Sequence, residues 1–304
     1  MMDKVALEQR LLASFPRECI LRDESMALHT TFQVGGPADF LLKARNAQDI
    51  QAAVKAASEA DAPCWIIGCG SNVLVADEGL RGLVVQIGPD MASIEVDGEF
   101  IRAQAGATNE QVAEAALAAE LSGYEFASGI PGSVGGAAIM NAGAYDGEFR
   151  DVAVSVVCLT PEGELREISA AEADWGYRHS MMMDAGYIVL EATLHLAPAD
   201  PREIRAKMDD LRERRTSKQP LELPSAGSTF KRPTGYFAGK LIQDAGMRGH
   251  RVGGAMVSEK HCGFVVNAGG ATAADVLGVI HDVQAAVLAD AGVSLEPEVR
   301  MWGF

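Results

Sequence analysis

Pairable cysteines are the first thing this sequence lacks. Its five, Cys19, Cys64, Cys69, Cys158 and Cys262, are odd in number and scattered, and no two form a Cys-x-x-Cys pair. That excludes a disulfide framework and a thiolate zinc site, and it points to reduced thiols in a cytoplasm. Long apolar runs are missing too. The first eighteen residues carry a charge every few positions, unlike the apolar centre of a secretory leader, and no later stretch reaches the length of a membrane span. Positive charge is scarce: 26 Lys and Arg face 42 Asp and Glu, a formal net charge of −16. A surface of that sign repels nucleic acid and anionic membranes. The expectation is a cytoplasmic monomer that handles small molecules, without nucleic acid, membrane or bound metal as partners.

What is present begins with size. A chain of 304 residues, 48% apolar, is too long for one ordinary core and should fold as two or three packed units. The scarce positive charge is concentrated. Residues 201–250 hold eleven Lys and Arg against six Asp and Glu, which suits solvated helix faces and equally a pocket for an anionic ligand.

The centre of the chain is a run of small residues from Ser128 to Gly143 in which five of sixteen are glycine. Pro131 fixes one φ angle, and the glycines permit backbone angles that a Cβ forbids. An ordered path of bare backbone should result, with amide N–H groups free to face a flat ring or a diphosphate, though a buried tight turn has the same composition. A second glycine loop, Gly68-Cys69-Gly70-Ser71-Asn72-Val73, follows a short strand, Cys64–Ile67. It starts like the dinucleotide fingerprint, but Val73 stands where the third glycine belongs and β-type residues follow instead of a helix. An ordinary Rossmann nicotinamide site is therefore disfavoured. The loop still offers backbone donors, the Ser71 hydroxyl and the Asn72 amide to a diphosphate.

Periodicity fills in the rest. Residues 1–27 read as a helix, with Leu7, Leu11 and Leu12 on one face, and a polar connection. Thr30–Val34 reads as a strand that breaks at Gly35-Gly36-Pro37 and restarts at Ala38. A helix begins at Asn46, strands alternate through 92–106, and a small-residue helix runs from Asn109 to about Ala119. Strands return at 152–159, 165–168 and 188–196. Asp200 and Pro201 start a helix whose buried face is Ile204, Met208 and Leu211, ending near Arg215. Thr272 caps a last helix with Val276, Ile280, Val283 and Val287 inside. The domains expected are an N-terminal helix and connection (1–28), a two-lobed α+β domain (29–198) and a smaller α+β domain (199–304).

The motifs taken in order resemble the UDP-N-acetylenolpyruvoylglucosamine reductases, bacterial flavoenzymes of cell-wall synthesis. They are Thr30-Thr31-Phe32 with Val34-Gly35-Gly36, the Gly68–Asn72 loop, Gly129–Ala137 with Asn141–Tyr145, and Tyr177–Ser180. Then come Ser225–Lys231, Ala238–Ile242, Val257–His261 and Leu295–Arg300. Any one could arise by chance; the ordered set, spanning residues 29–301, is specific. The resemblance implies a fold in which a two-lobed FAD-binding domain of the vanillyl-alcohol-oxidase/PCMH type precedes a smaller substrate-binding domain. It implies an FAD-dependent oxidoreductase that uses NADPH to reduce the enolpyruvyl group of UDP-N-acetylglucosamine enolpyruvate to UDP-N-acetylmuramate. That product feeds peptidoglycan synthesis, and through it cell shape and division.

By the same resemblance FAD is held non-covalently by Gly68, Cys69, Gly70, Ser71, Asn72 and Val73, and by Ile130, Pro131, Gly132, Ser133, Gly135, Gly136, Asn141 and Gly143. Tyr145, Val189 and Arg300 complete that set. Arg178, Ser228 and Glu298 become the catalytic residues. In isolation Arg178 reads as a surface arginine, Ser228 as a turn or cap serine, and Glu298 with Arg300 as a salt-bridged strand face. The chemistry suits the three types. Hydride added to the terminal vinyl carbon leaves negative charge on the carbon bearing the carboxylate. Arg178 supplies fixed positive charge, a protonated Glu298 donates a hydrogen bond to the developing enolate, and Ser228 protonates the carbanion-like carbon. Arg215, Lys218 and Arg232 are candidates for the UDP diphosphate. His261 is a weaker one that also reads as a satisfied surface histidine. After the Tyr177–Ser180 motif the chain runs directly through Met181–Gly186 into Tyr187, so it resembles the shorter class without a tyrosine flap.

Two other readings compete. One is an FAD-dependent oxidase of the same superfamily. Many of these attach flavin to a histidine in the glycine loops, and all six histidines here (29, 179, 195, 250, 261, 281) lie outside those loops. The other is a non-catalytic protein that binds a nucleotide sugar or flavin; the presence together of Arg178, Ser228 and Glu298 opposes it.

Overall fold

A computed structural model describes residues 4–304, so Met1, Met2 and Asp3 of the expected N-terminal helix lie outside the described residues. The chain divides into two compact units. The first takes the chain up to Leu21, Leu41–Cys69 and Gly82–Arg215; the second takes Arg22–Phe40, Gly70–Arg81 and Thr216–Phe304. This division differs from the expected boundary at 198/199. The helix Pro201–Lys218 stays with the first unit as far as Arg215, and two segments from the N-terminal third join the second. The reason lies in the helix's buried stripe. Ile204 and Met208 pack into the same core as the sheet residues Ile101, Val156, Ala192 and Leu194.

The first unit is built on a five-stranded antiparallel sheet in the order Leu165–Ser169, Ala153–Leu159, Ile188–His195, Phe100–Gln104, Ile94–Asp97. Its alternation is that of a sheet with one covered face: Ile101 and Ala103 are buried while Phe100 and Arg102 point outward. Cys64–Ile67 pairs in parallel with Leu83–Gln86. Asn109–Ala118 forms the expected helix, started by a capping box between Thr108 and Gln111. The N-terminal helix, Lys4–Ser14, buries Leu7 and Leu11 but leaves Leu12 exposed. One residue is about 100° of helix, enough to turn Leu12 off the buried stripe.

The second unit packs the helix Ala273–Ala291 over a three-stranded antiparallel sheet, Arg251–Val252, Ala255–Val257 and Val265–Asn267. Val276, Val279, Ile280, Val283 and Val287 are fully buried, Thr272 caps the start, and Gly292 closes the end at φ 67°. Arg300–Trp302 pairs in parallel with Val73–Val75, joining the C-terminal motif to the strand after the Gly68–Asn72 loop. Thr30–Val34 is not a strand. Gln33 N–H turns back to Thr30 O, the Thr30 hydroxyl bonds Val34 O, and Gln33 has φ 54°. Phe32 and Val34 are buried there as loop residues, with Phe32 O accepting from Asn267 Nδ2.

Candidate active site

In the first unit the two glycine segments, sixty-odd residues apart in sequence, meet. A Cβ on Gly68 would lie 2.5 Å from Ser133 Oγ, and the Cys69 thiol hydrogen-bonds the same side chain. Burial pushes the Cys69 pKa up, and the bond to Ser133 offsets part of that. The central run does not remain bare. Val134–Met140 forms a short helix, and its first amides are already used: Val134 N–H bonds Ala107 O and Gly135 N–H bonds Ala105 O. A Cβ on Gly135 would come within 2.9 Å of Ala105 Cβ, so packing against the end of the sheet demands that glycine. Gly136 differs. It is exposed, and the nearest atom to its missing Cβ is Ser133 Oγ at 4.0 Å. There the backbone is open to a ligand.

Asn109 and Tyr124, which sequence reasoning passed over, set the start of this run. Tyr124 Oη donates to Asn109 Oδ1 (2.9 Å), Asn109 Nδ2 donates to Ile130 O (3.2 Å), and Asn109 N–H donates to Gly132 O. Asn141 sets the end. It is fully buried at φ 42°, its Nδ2 donates to Glu148 and Gly176 O, and its Oδ1 accepts from Arg150 N–H. Asn141 is thus a clamp within the chain, and its side chain has no surface to offer a cofactor. Val189 likewise packs in the sheet core.

The segment around Arg178 hangs from the same run. Trp175 Nε1 donates to Ala138 O (2.7 Å), Ser180 Oγ to Ile139 O (2.8 Å), and Arg178 Nη2 to Gly143 O (3.1 Å). Arg178 sits at φ 55°, an uncommon conformation for a residue with a side chain. Tyr145 and Asp146, at φ 52° and 66°, form the two-residue turn of a hairpin between Gly143–Ala144 and Gly147–Glu148. Arg215 is buried beside them. Its Cζ lies 5.5 Å from the Tyr145 ring, and its Nε would be 2.8 Å from a Cβ on Gly129. Burial pushes its pKa down, but a guanidinium stays charged regardless. The structure therefore groups Arg215 with the glycine run and Tyr145, apart from Lys218, Arg232 and His261, which belong to the second unit.

In the second unit distant segments converge by backbone pairing. Glu298 N–H donates to Thr229 O (2.8 Å), so Glu298 stands beside the residue that follows Ser228. Thr229 N–H in turn donates to Gly263 O, and Gly263 N–H donates to His261 Nδ1 (3.1 Å). That bond leaves the His261 proton on Nε2, while burial lowers its pKa and favours the neutral ring. Ser228 itself is exposed. Asn72 Nδ2 donates to Glu298 O (3.2 Å) and Asn72 O accepts from Arg300 N–H (3.0 Å), tying the loop to both. Gly70, at φ 63°, is obligatory because a Cβ would fall 2.0 Å from His29 O. Thr31 Oγ1 then reaches Ser225 O (2.6 Å). Lys218 is exposed at the end of its helix.

Comparison with known proteins decides the family. Residues 219–302 match the model of the UDP-N-acetylenolpyruvoylglucosamine reductase C-terminal domain, and residues 38–169 match an FAD-binding domain. The UDP-N-acetylenolpyruvoylglucosamine reductase of Agathobacter rectalis is 53% identical over 300 residues, covering 95% of each chain. This chain belongs to the UDP-N-acetylenolpyruvoylglucosamine reductase family. The reductase of Pediococcus pentosaceus is 50% identical over 297 residues, covering 98% of this chain and 99% of its own. The crystal structure of the Thermus caldophilus reductase superposes with TM-score 0.80 at 34% identity, covering 92% of this chain and 97% of that one. The fold expected from sequence, a PCMH-type FAD-binding domain followed by the reductase C-terminal domain, is the fold of this family member. It is an FAD-dependent oxidoreductase, and FAD is its cofactor. The residues present fit that group. Exposed Gly136, the Gly68–Ser133 contact and buried Arg215 against Gly129 give bare backbone beside fixed positive charge, which suits a flat ring with a diphosphate. No helix among the described residues is long and apolar enough to cross a membrane.

Proposed function

We infer that Arg178, Ser228 and Glu298 carry the NADPH-dependent reduction of the enolpyruvyl ether of a UDP-linked N-acetylglucosamine, giving UDP-N-acetylmuramate. With NADPH as the reductant, bound FAD would supply the hydride chemistry that reduces the terminal vinyl carbon. Gly68, Ser133 and the open backbone at Gly136 would hold that cofactor, with Arg215 and Tyr145 beside it. Arg178 meets the substrate carboxylate with its guanidinium and stabilises charge that develops as the double bond is reduced. Glu298, in its protonated form, donates a hydrogen bond to the same developing enolate. Ser228 Oγ–H gives its proton to the carbon bearing the carboxylate and recovers one from solvent. Lys218, Arg232 and His261 hold the nucleotide. The enzyme works as a monomer in the cytoplasm.

The observation that supports this reading is the hydrogen bond from Glu298 N–H to Thr229 O, which sets Glu298 next to the residue that follows Ser228. Stopped-flow absorbance tests it. Ser228→Ala should leave flavin reduction by NADPH nearly intact and slow reoxidation by the enolpyruvyl substrate by about 10² to 10⁴-fold. Slowed reduction with unchanged reoxidation would remove Ser228 from the role of proton donor.

A further inference from the structure

The roles above leave Glu148 and Arg150 without a task, although both lie beside the segment that carries Arg178. Tyr177 and Arg178 form the tip of a tight turn between Gly176 and His179, closed by Gly176 N–H to His179 O (3.1 Å). Arg178 holds φ 55° there, a conformation that persists in a residue with a side chain only where the surroundings over-determine it. Two donors constrain the backbone just before the tip. Arg150 Nη1 donates to Trp175 O (3.2 Å), and Asn141 Nδ2 donates to Gly176 O (2.9 Å).

Both donors are fixed by one oxygen atom. Glu148 Oε2 accepts from Asn141 Nδ2 (2.9 Å) and pairs with Arg150 Nε (2.9 Å). Asn141 Oδ1 closes the group by accepting from Arg150 N–H (3.0 Å). Glu148 also caps the single helical turn Phe149–Asp151: its carboxylate accepts from Asp151 N–H, and its own N–H donates to Asp151 Oδ2 (2.8 Å). Serine or asparagine would serve for capping alone. Three converging donors, one of them a guanidinium, call for a longer group that only accepts. The far end of Arg178 meets the same residue's strand partner. Glu148 pairs with Gly143 across the hairpin, and Gly143 O accepts from Arg178 Nη2 (3.1 Å). A Cβ on Gly143 would lie 2.8 Å from Glu148 Cγ, so the two strands touch at this point.

We propose that Glu148 is a positioning residue for the reductive step. Through Asn141 and Arg150 it holds the Trp175–Gly176 backbone, and across the hairpin it sets the carbonyl of Gly143, so that the Arg178 guanidinium is aimed before the substrate carboxylate arrives. This rests on the reading of Arg178 given above and adds the group that orients it. A charged donor misplaced by about 1 Å loses on the order of 10²-fold in rate, which is the effect a loosened turn would have.

The test is a double-mutant cycle on flavin-loaded enzyme, read as the stopped-flow rate of reoxidation by the enolpyruvyl substrate. Glu148→Gln keeps the volume but turns one acceptor into a donor facing Asn141, Arg150 or Asp151 N–H. With Arg178 present it should slow reoxidation by about 10- to 10²-fold. In the Arg178→Ala background the same change should alter the rate by less than about twofold, because a residue that acts through Arg178 has nothing left to orient. Equal slowing in both backgrounds, or an unchanged rate in Glu148→Gln with Arg178 present, overturns the positioning role. If Glu148→Gln yields no flavin-loaded protein, Arg150→Lys decides. It keeps the charge but cannot serve Glu148 and Trp175 O together. Slowing that disappears with Arg178 supports the proposal, and a wild-type rate or equal slowing in both backgrounds overturns it. Arg178→Ala that reoxidises at the wild-type rate overturns the reading of Arg178, and this proposal with it. A slow Arg178→Ala with an additive Glu148→Gln overturns the positioning role alone.

Discussion

The two units hold their candidate functional residues in opposite ways. In the first, one continuous run, Ser128 to Gly143, is the scaffold, and everything else hangs from it: Trp175, Arg178 and Ser180 each donate to a carbonyl between Ala138 and Gly143. In the second there is no such run. Thr31, Asn72, Thr229, Gly263 and Glu298 come from five separate segments and are tied by backbone and side-chain bonds. A scaffold made from one stretch fails locally when its packing is disturbed. A site made from separate segments tied to one another spreads a change over the core, so single polar side chains can be altered without loss of fold.

That contrast predicts the largest effect at Gly135. A valine there drives a branched side chain into Ala105, whose Cβ is already 2.9 Å from a bare Cβ position. We expect a cost of about 3 kcal/mol and colourless or insoluble protein, read as the flavin-to-protein absorbance ratio and the soluble yield. A fully flavinylated, active Gly135→Val would break the contrast, since the run would then not be the scaffold.

Next come the side chains proposed as catalytic. Arg178→Ala removes the donor held at Gly143 O, and Glu298→Gln removes an acid whose backbone is already anchored at Thr229. Each should slow reoxidation by the substrate by about 10²- to 10³-fold. Glu298→Gln should leave flavin content unchanged and Arg178→Ala should lower it, because only Arg178 hangs from the glycine run. Equal flavin loss in both would erase the distinction.

A smaller effect is expected at His261. Burial lowers its folded pKa below the 6.5 of an unfolded histidine, so the unfolded chain binds the proton more readily. The neutral ring's contribution is therefore complete above pH 6.5 and declines as pH falls through the window below it. His261→Gln, which keeps an acceptor for Gly263 N–H, should lose this dependence. The stability difference between wild type and variant should change between pH 7.5 and pH 5.5, no more steeply than about 1.4 kcal/mol per pH unit. A constant difference across that range would show that the ring charges freely in the fold.

The smallest effect is also the sharpest. A Cβ on Gly136 meets nothing nearer than 4.0 Å, so Gly136→Ala should stabilise the short helix by about 0.5–1 kcal/mol. The same methyl would stand where the cofactor approaches. A raised melting temperature of apoprotein together with weaker FAD retention is the expected pair of results. Tighter FAD binding would mean that the open backbone at Gly136 is not the cofactor's side.

The sequence by itself determined most of the elements. Periodic apolar spacing fixed the helices Asn109–Ala118 and Ala273–Ala291 and the strands of the first unit, since a stripe or an alternation is what burial on one face requires. The ordered motifs also determined the family, and with it the cofactor. They could not tell that Val134–Met140 is helical, because small residues and glycine carry no stripe, and that helix exists through its packing on Ala105 and its capping carbonyls. Thr30–Val34 looked extended from its alternating apolar residues, yet Phe32 and Val34 enter the core of the second unit from a loop, with Asn267 bonding Phe32 O. Asn109 and Tyr124 gave no signal, and the motif that singled out Asn141 did not show its clamping role, since a polar side chain buried to satisfy a distant carbonyl has no local pattern. Only the tertiary structure decided that Arg215 lies with Tyr145 and Gly129, that Asn72 ties to Glu298, and that the helix after Pro201 belongs to the first unit. Side-chain periodicity is a local property of the chain. Which carbonyl a distant donor meets depends on how the cores close, and that is fixed only when the whole fold forms.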